Sequence, residues 1–205
     1  MNINLKEMRK KSNIFLHTNI VGKKCKFYNE IASTQLEAKR LAEDGIENGT
    51  IIITDCQTSG IGTHNRKWYS EKGKNISFTL ILYPNCKVKE LENLTVDIAK
   101  CIINSIYDLY GYNLEIKIPN DIMYKEKKIG GILTQIVSNG ENIKYLLIGI
   151  GLNVNGEKFP EDLKDIATSL KLEFRQEFSR QKIVELFCIN FERYCEEKGI
   201  INIQA

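Results

Sequence analysis

The sequence lacks several features that would each assign it to a particular class of protein. Its longest uncharged, mainly apolar stretch covers residues 145–154, about half of the roughly 20 apolar residues that a membrane-spanning helix needs. It has six cysteines but no C-x-x-C pair, and only two histidines, so reduced, buried thiols are expected rather than a zinc site or a disulfide framework. Residues 1–15 contain no apolar signal region that ends in small residues. These absences favour a cytoplasmic protein without a membrane contact.

The charge balance is mild, with a net charge of +3 over 205 residues. Most of the basic excess lies before Tyr28, where neither interleaved aromatic residues nor a recognisable DNA-binding pattern occurs, which favours a solvated basic arm over a nucleic-acid site. The basic residues concerned are Arg9, Lys10, Lys11, Lys23, Lys24 and Lys26. With 42% hydrophobic residues, a chain of this length can bury one core of its own, so residues 1–205 are expected to form a single domain.

Hydrophobic periodicity predicts an α+β domain in which helices pack against a mixed β-sheet. Strands are expected at residues 24–31, 50–54, 76–83, 114–118, 128–138 and 142–153. Ser33 is predicted to cap a helix that runs to about Glu43, and Gly111 to end a second helix over residues 91–110. Two further helices are expected at residues 161–171 and 179–197, and the turn residues Asn139-Gly140 predict a hairpin between the last two strands.

The polar stretch from Gln57 to Asn75 is a long loop, and long loops inside compact domains are usually functional or disordered. Its small residues allow a ligand to approach the backbone, while Arg66 and Lys67 suit a phosphate or a carboxylate. A dinucleotide-binding G-x-G-x-x-G motif fails because Asn65 stands in place of the third glycine. Trp68, the only tryptophan, is either a core residue or a platform for stacking on a base.

Two more clusters combine polar side chains with glycine. The first places Lys117, Asn120 and Asp121 around a proline turn and is followed by Lys128 beside two glycines, which lets the lysine reach a phosphate. Taken alone, Lys128 is a solvated residue of a charged turn, and only the neighbouring glycines favour a catalytic role. The second cluster, residues 149–155, ends a strongly apolar strand with glycines and asparagines, and by itself it is equally typical of a strand that runs into a turn.

In this order, the clusters resemble the biotin protein ligase family over residues 28–155. The resemblance is carried by Ser33-Thr34, the loop that ends in Arg66-Lys67-Trp68, Lys117-x-Pro119-Asn120-Asp121, Lys128-x-Gly130-Gly131-Ile132-Leu133 and the seven residues Gly149 to Asn155. It implies a catalytic domain related to class II aminoacyl-tRNA synthetases and lipoate ligases, followed by a helical part over residues 156–205. Neither the N-terminal helix-turn-helix domain of the ligases that double as repressors nor the usual C-terminal SH3-like barrel is expected.

The resemblance also implies a reaction. The carboxylate of biotin attacks the α-phosphate of Mg-ATP, pyrophosphate leaves, and the biotinyl-5′-adenylate then biotinylates a lysine of a biotin carboxyl carrier protein domain of a carboxylase. Lys128 and Arg66 are the expected catalytic residues, because cations aimed at the phosphate oxygens stabilise the charge that develops there. A homodimer is compatible with the resemblance, but the sequence does not determine the oligomeric state.

The resemblance assigns the remaining site residues by position. The expected biotin contacts are Ser33, Thr34, Gln35, Gln57, Gly60, Ile61, Gly62, Thr63, Lys128, Gly130 and Gly131. The expected ATP contacts are Arg66, Trp68, Lys117, Asn120 and Asn153, and Asp121 is the expected magnesium ligand.

The chain departs from the family pattern in its loop, because Ile61 and Thr63 stand where the family commonly has two arginines. We therefore expect a looser hold on the adenylate, with His64 either solvated or replacing one of the missing donors. Gln35 and Ile118 are milder departures from asparagine and tryptophan. Two alternatives stay open: a lipoate or octanoate ligase or transferase, and a biotin-binding module without catalysis. A biotin acceptor is excluded, since the sequence has no Met-Lys-Met tip.

Overall fold

The computed structural model describes residues 17–202, so the basic residues Arg9, Lys10 and Lys11 lie outside it. Nine strands are described: β1 Cys25–Tyr28, β2 Ile51–Thr54, β3 Gly60–Ile61, β4 Lys67–Trp68, β5 Ile76–Leu82, β6 Glu115–Lys117, β7 Asp121–Tyr124, β8 Lys127–Asn139 and β9 Asn142–Leu152. The helices are α1 Thr34–Glu43, α2 Leu94–Tyr110, α3 Leu170–Phe174 and α4 Arg180–Glu197. Short 3₁₀ turns occur at Thr63–Asn65 and Val88–Leu91.

Seven strands form one mixed sheet in the order β1-β2-β5-β9-β8-β7-β6, and β3 and β4 form a separate ribbon. Strands β1 and β2 are parallel, whereas the other neighbours in the large sheet are antiparallel. Helices α2 and α4 contribute to the larger buried cluster, together with Phe78 and Leu80 of β5. Helix α1 covers the other face through Ala38 and Leu41, against Ile81 and Leu147. The predicted α+β fold with a mixed sheet is confirmed.

Several local predictions are also confirmed. Gly111 ends α2 in the left-handed conformation (φ 75°) that glycine adopts without a steric cost. Ser33 occupies the predicted N-cap position of α1, but its side chain makes no capping hydrogen bond. The predicted hairpin is the β8–β9 pair, whose register runs from Gly130 opposite Leu152 to Asn139 opposite Asn142.

Two predictions are wrong in ways that concern the site. The helix expected over residues 161–171 is a series of turns, and only Leu170–Phe174 is helical. Here Lys128 N donates to Ile166 O (2.8 Å) and Thr168 N donates to Lys128 O (2.9 Å), so the end of the segment pairs with β8 instead of continuing as a helix. Strand β7 was not predicted, because its four residues are fixed by pairing with β6 and β8 rather than by local periodicity.

The Gln57–Asn75 stretch is also more ordered than a plain loop, since the β3–β4 ribbon pairs Gly60 with Trp68 and Ile61 with Lys67. Between residues 17 and 202, no helix is both long and apolar enough to cross a membrane.

Candidate active site

Two cavities meet above the sheet, on the face that α1 covers. The smaller cavity is enclosed by α1, the glycine-rich loop and the central strands β5, β8 and β9. The larger one is bounded by the loop, the β6–β7 turn and the segment after β9. Both cavities are lined by Gly62, Thr63, Trp68, Asn120, Lys128, Ile132 and Leu133. Because these residues line both, the two cavities are adjacent, and they are called the smaller and the larger compartment of the cleft.

A connected set of hydroxyl and amide groups lines one side of the smaller compartment. Gln57 Oε1 accepts from Thr34 N (2.8 Å) and from Thr34 Oγ1 (3.1 Å). Thr79 Oγ1 lies 3.0 Å from Thr34 Oγ1 and 3.0 Å from Gln35 Oε1, and Gln35 Nε2 donates to Gln135 Oε1 (3.0 Å). Thr79 was not predicted, because its hydroxyl is brought to α1 only by the packing of β5.

The direction of these hydrogen bonds follows from the one group that can only donate, the backbone N–H of Thr34. It requires Gln57 to present its oxygen to Thr34, which leaves Gln57 Nε2 as a donor without a partner among the described residues. The Thr34 hydroxyl donates its proton to Gln57 Oε1. The Thr79 hydroxyl has a single proton, which it can donate to either Thr34 Oγ1 or Gln35 Oε1. The compartment therefore offers a ligand one amide donor and several acceptor oxygens.

Glycines let Trp68 and Gln35 lie directly against the sheet. Gly131 and Gly151 stand opposite each other in the β8–β9 register. A Cβ atom at Gly151 would come within 2.4 Å of the Trp68 ring, and one at Gly149 within 2.5 Å of Gln35 Oε1. The indole nitrogen of Trp68 is buried without a hydrogen-bond partner among the described residues. Trp68 thus forms the partition between the two compartments and carries an unused donor there.

Lys128 stands at the junction of the compartments. Its Nζ lies 2.6 Å from Asp121 Oδ1 and 5.7 Å from the centre of the Trp68 ring. Both side chains of the ion pair are partly accessible, at 32% and 26%, so a ligand can reach either. The alternative that Lys128 is a fully solvated residue of a charged turn does not describe this position.

The larger compartment brings together the predicted ATP contacts. Its lining includes Arg66, Trp68, Lys117, Asn120 and Asn153, as well as Asp121. Arg66 is exposed, while Asn153 is 4% exposed and its Oδ1 has no partner among residues 17–202. Cationic groups outnumber the carboxylates of Asp121 and Glu126 around this compartment, which suits a polyanion.

One wall of the larger compartment consists of residues that the sequence did not predict as site residues. It consists of Phe159, Leu163, Ile166 and Ala167, which lie in and before the segment that was expected to be a helix. Phe159 also contacts Tyr69 of the loop, with ring centres 6.3 Å apart. Burial raises the pKa of the Tyr69 phenol and Glu71 adds to the rise, so this phenol stays a donor at neutral pH. The signal in the sequence was only a set of apolar residues without a clear period.

Three of the predicted biotin contacts do not line either compartment. Ser33 is fully buried at the start of α1, and its hydroxyl has no partner among the described residues. Gly60 is packed against Trp68 O, and Gly130 faces Leu152 in the core. The others, Thr34, Gln35, Gln57, Ile61, Gly62, Thr63, Lys128 and Gly131, all line the smaller compartment.

Few side chains of the cleft could act as ligands of a metal ion. Within the part of the chain that the structure describes, no group of three or more His, Cys, Asp or Glu side chains is arranged to hold an ion. Asp121 offers one oxygen beyond the one paired with Lys128. A single carboxylate fits Mg²⁺ only in its usual partnership with substrate phosphates and water.

The chain is similar to known proteins in sequence and in fold. Residues 28–153 match the family described as the Biotin/lipoate A/B protein ligase family. The chain is 34% identical over 180 residues to the bifunctional ligase/repressor BirA of Bacillus subtilis, covering 87% of this chain and 55% of that protein. It is 30% identical over 130 residues to the biotin–[acetyl-CoA-carboxylase] ligase of Paracoccus denitrificans, covering 60% of this chain and 52% of that protein.

Among solved structures, the biotin protein ligase from Aquifex aeolicus in complex with biotin and ATP superposes with a TM-score of 0.71 at 29% identity. The match covers 85% of this chain and 73% of that one. The chain spans about half the length of the curated relatives it matches.

Proposed function

Since the chain belongs to the biotin/lipoate A/B protein ligase family, we propose that it is a biotin protein ligase. In this proposal it activates biotin with ATP and transfers it to a lysine of a carrier protein domain. The observation that supports it most is the position of Lys128 at the junction of two joined compartments. A cation there faces the reacting groups of a ligand in each compartment at once.

The polar lining of the smaller compartment supports biotin as the acyl substrate. A cyclic urea carries two N–H donors and one carbonyl acceptor, which complement the acceptor oxygens of Thr34, Thr79 and Gln35 and the free Nε2 of Gln57. The dithiolane of lipoate and the chain of octanoate have no such groups, so they could neither accept from Gln57 Nε2 nor donate to these oxygens.

In the first step, a carboxylate oxygen of biotin attacks the α-phosphorus of ATP, and the bond to the bridging oxygen of pyrophosphate breaks. Negative charge spreads over the phosphoryl oxygens, and Lys128 Nζ stabilises it by a charge-assisted hydrogen bond. Arg66 and Lys117, at the larger compartment, would hold the phosphates, while Trp68, Asn120 and Asn153 contact the nucleotide. Asp121 would hold Mg²⁺, which supplies charge neutralisation of the phosphates when bound.

In the second step, the neutral amine of the acceptor lysine attacks the acyl carbon of the mixed anhydride, AMP leaves with the electron pair of the broken C–O bond, and the amine loses a proton. We place the glycine-rich loop over this anhydride, where it would limit the access of water. We place the acceptor on a biotin carboxyl carrier domain, the protein in the cytoplasm, and the catalytic unit in one domain.

The test uses the purified chain with biotin, Mg-ATP and an isolated biotin carrier domain. Pyrophosphate release and the mass of the carrier are followed together, with lipoate and octanoate as alternative acids. A carrier that gains one biotin, with no product from the other acids, is the expected result. Pyrophosphate without carrier labelling would restrict the proposal to the adenylation half, and pyrophosphate only with lipoate or octanoate would replace biotin as the substrate. Biotin binding without pyrophosphate release would identify a non-catalytic module.

A further inference from the structure

We infer that Arg180, the first residue of α4, is a positioning residue that holds both ends of the glycine-rich loop over the cleft. The inference deepens the proposed function, on which its kinetic consequence rests. Arg180 lies after the matched family region, which ends at residue 153, and lines neither compartment.

The loop leaves the sheet after β2 and returns at β5, which are adjacent strands. Asp55 follows β2 and Asn75 precedes β5. Arg180 Nη1 donates to Asp55 Oδ1 (3.0 Å) and to Asn75 O (3.1 Å). One guanidinium nitrogen therefore contacts Asp55 and Asn75, the residues at which the loop begins and ends.

This contact is shielded from water. The side chains of Arg180 and Asp55 are 10% and 9% exposed, so their ion pair is screened far less than a surface pair. Asp55 also accepts Gly73 N at its backbone oxygen (2.9 Å), and Asn75 Oδ1 accepts Val154 N (3.0 Å). The second end of the loop is thus tied to the end of β9, beside Asn153.

Backbone hydrogen bonds also hold the loop, among them Gly73 N to Asp55 O (2.9 Å), which joins its two ends. Ser59 N donates to Ala32 O (2.8 Å) near the start, and the Lys72–Glu30 ion pair (3.2 Å) is exposed. Among residues 17–202, Arg180–Asp55 is the one ion pair of a loop end in which both side chains are about 10% exposed or less. Since the loop carries Gly62, Thr63 and Trp68, which line both compartments, fixing its ends fixes the partition.

Helix α4 offers a matched control, because it carries a second buried anchor that does not touch the loop. Glu192 is 5% exposed and accepts the backbone N–H groups of Asn19, Ile20 and Val21 (2.7–2.8 Å). Arg180→Gln and Glu192→Gln each remove one buried charge from the same helix. If Arg180 serves only to dock α4, the two variants will behave alike.

The readout is Trp68, the only tryptophan of the chain. Acrylamide quenching of its fluorescence is measured for both variants and the parent at a temperature where circular dichroism shows each to be folded. We expect a larger quenching constant for Arg180→Gln alone, with partial recovery in Arg180→Lys. We also expect biotinyl-adenylate, followed with radiolabelled ATP, to escape from Arg180→Gln on the order of tenfold faster, because the loop over the cleft is held less firmly.

Equal quenching in Arg180→Gln and Glu192→Gln would overturn the inference. If Arg180→Gln does not fold, Asp55→Asn replaces it, since it weakens the same contact without leaving a buried charge at position 55, and the same comparison with Glu192→Gln decides. The quenching experiment needs no substrate. A parent chain that forms no adenylate would therefore reject the proposed function while the quenching result still decides the role of Arg180.

Discussion

Lys128 shows how much of a residue's role depends on its surroundings. In the sequence it is one of three lysines in a charged turn, whereas in the structure its ammonium group lies between Asp121 and the Trp68 ring, at the junction of both compartments. Its neighbour Lys127 lies on the same strand but lines neither compartment. Substitutions at Lys127 and Lys128 remove the same charge from different positions, so comparing them separates the effect of position from that of charge.

Lys128→Ala is expected to lower the rate of biotin-dependent pyrophosphate release by about a hundredfold to a thousandfold, the effect of removing one preorganised electrostatic contact from a reacting centre. Lys127→Ala is expected to change it little. The measurement is a coupled pyrophosphate assay at saturating biotin and ATP. A Lys128→Ala chain with the activity of Lys127→Ala would remove Lys128 from the catalytic step.

Thr63 is one of the two loop residues that stand where the family commonly has arginine. It lines both compartments, and no arginine occurs between Gly60 and Thr63. Thr63→Arg is expected to slow the escape of the adenylate by on the order of tenfold, because a guanidinium adds a charge-assisted hydrogen bond to the phosphate. The escape is followed by chasing labelled adenylate with unlabelled biotin and ATP.

Thr58→Arg is the control, since Thr58 is exposed in the same loop and lines neither compartment. It adds the same charge at a distance from the cleft. Slower escape in both variants would indicate a general effect of charge rather than a contact at position 63.

At the scale of elements, α1 and α4 begin with the same residue type but are stabilised differently. Ser179 Oγ accepts from Lys182 N (3.3 Å) and caps α4, a helix that the sequence predicted over residues 179–197. Ser33 makes no such bond, and its hydroxyl is buried without a partner among the described residues. The first N–H of the helix, that of Thr34, donates to Gln57 Oε1 instead of to solvent. The N-terminus of α1 thus contacts Gln57, a residue that lines the cleft, and not the side chain of its own N-cap residue.

Ser179→Ala is expected to lower the free energy of unfolding by about 1 kcal/mol, the usual contribution of an N-cap. Ser33→Ala is expected to leave it unchanged or raise it, because the variant removes an unpaired buried hydroxyl. Urea denaturation of both variants without ligand makes the comparison. An equal loss in both would mean that Ser33 caps α1 after all.

At the scale of the whole molecule, burial of the thiols couples stability to alkaline pH. Burial raises the pKa of Cys25 from an ordinary 9.0 to about 12 and that of Cys101 to about 11. A pKa that is raised by folding contributes stability that is present below about pH 9 and is lost as the pH rises towards the folded value, because the unfolded thiol ionises first.

The free energy of unfolding is therefore expected to fall between pH 9 and 11, and Cys25→Ala should make that fall shallower by about 1.4 kcal/mol per pH unit. Val21→Ala is the matched variant, since it opens a cavity in the same buried cluster without removing a titrating group. Chemical denaturation at several pH values gives the slopes. Identical slopes in Cys25→Ala and Val21→Ala would show that folding does not raise the pKa of Cys25.

The sequence by itself determined the elements whose signals are local. Alternation and helical periodicity predicted the mixed sheet, α2, α4 and the β8–β9 hairpin, and the order of short motifs predicted the family and the residues around the cleft. Local signals could not predict β7 or the turns between residues 161 and 169, since these exist through pairing with distant strands.

Only the tertiary structure decided how the motifs meet. The register of β8 and β9 sets Gly131 opposite Gly151, which makes room for Trp68, and β5 carries the Thr79 hydroxyl to Thr34, 45 residues away in the chain. It likewise supplied the wall around Phe159 and brought Arg180 to both ends of the loop. The physical reason is that these contacts join residues far apart in sequence, so their geometry depends on strand register and helix packing rather than on neighbouring side chains.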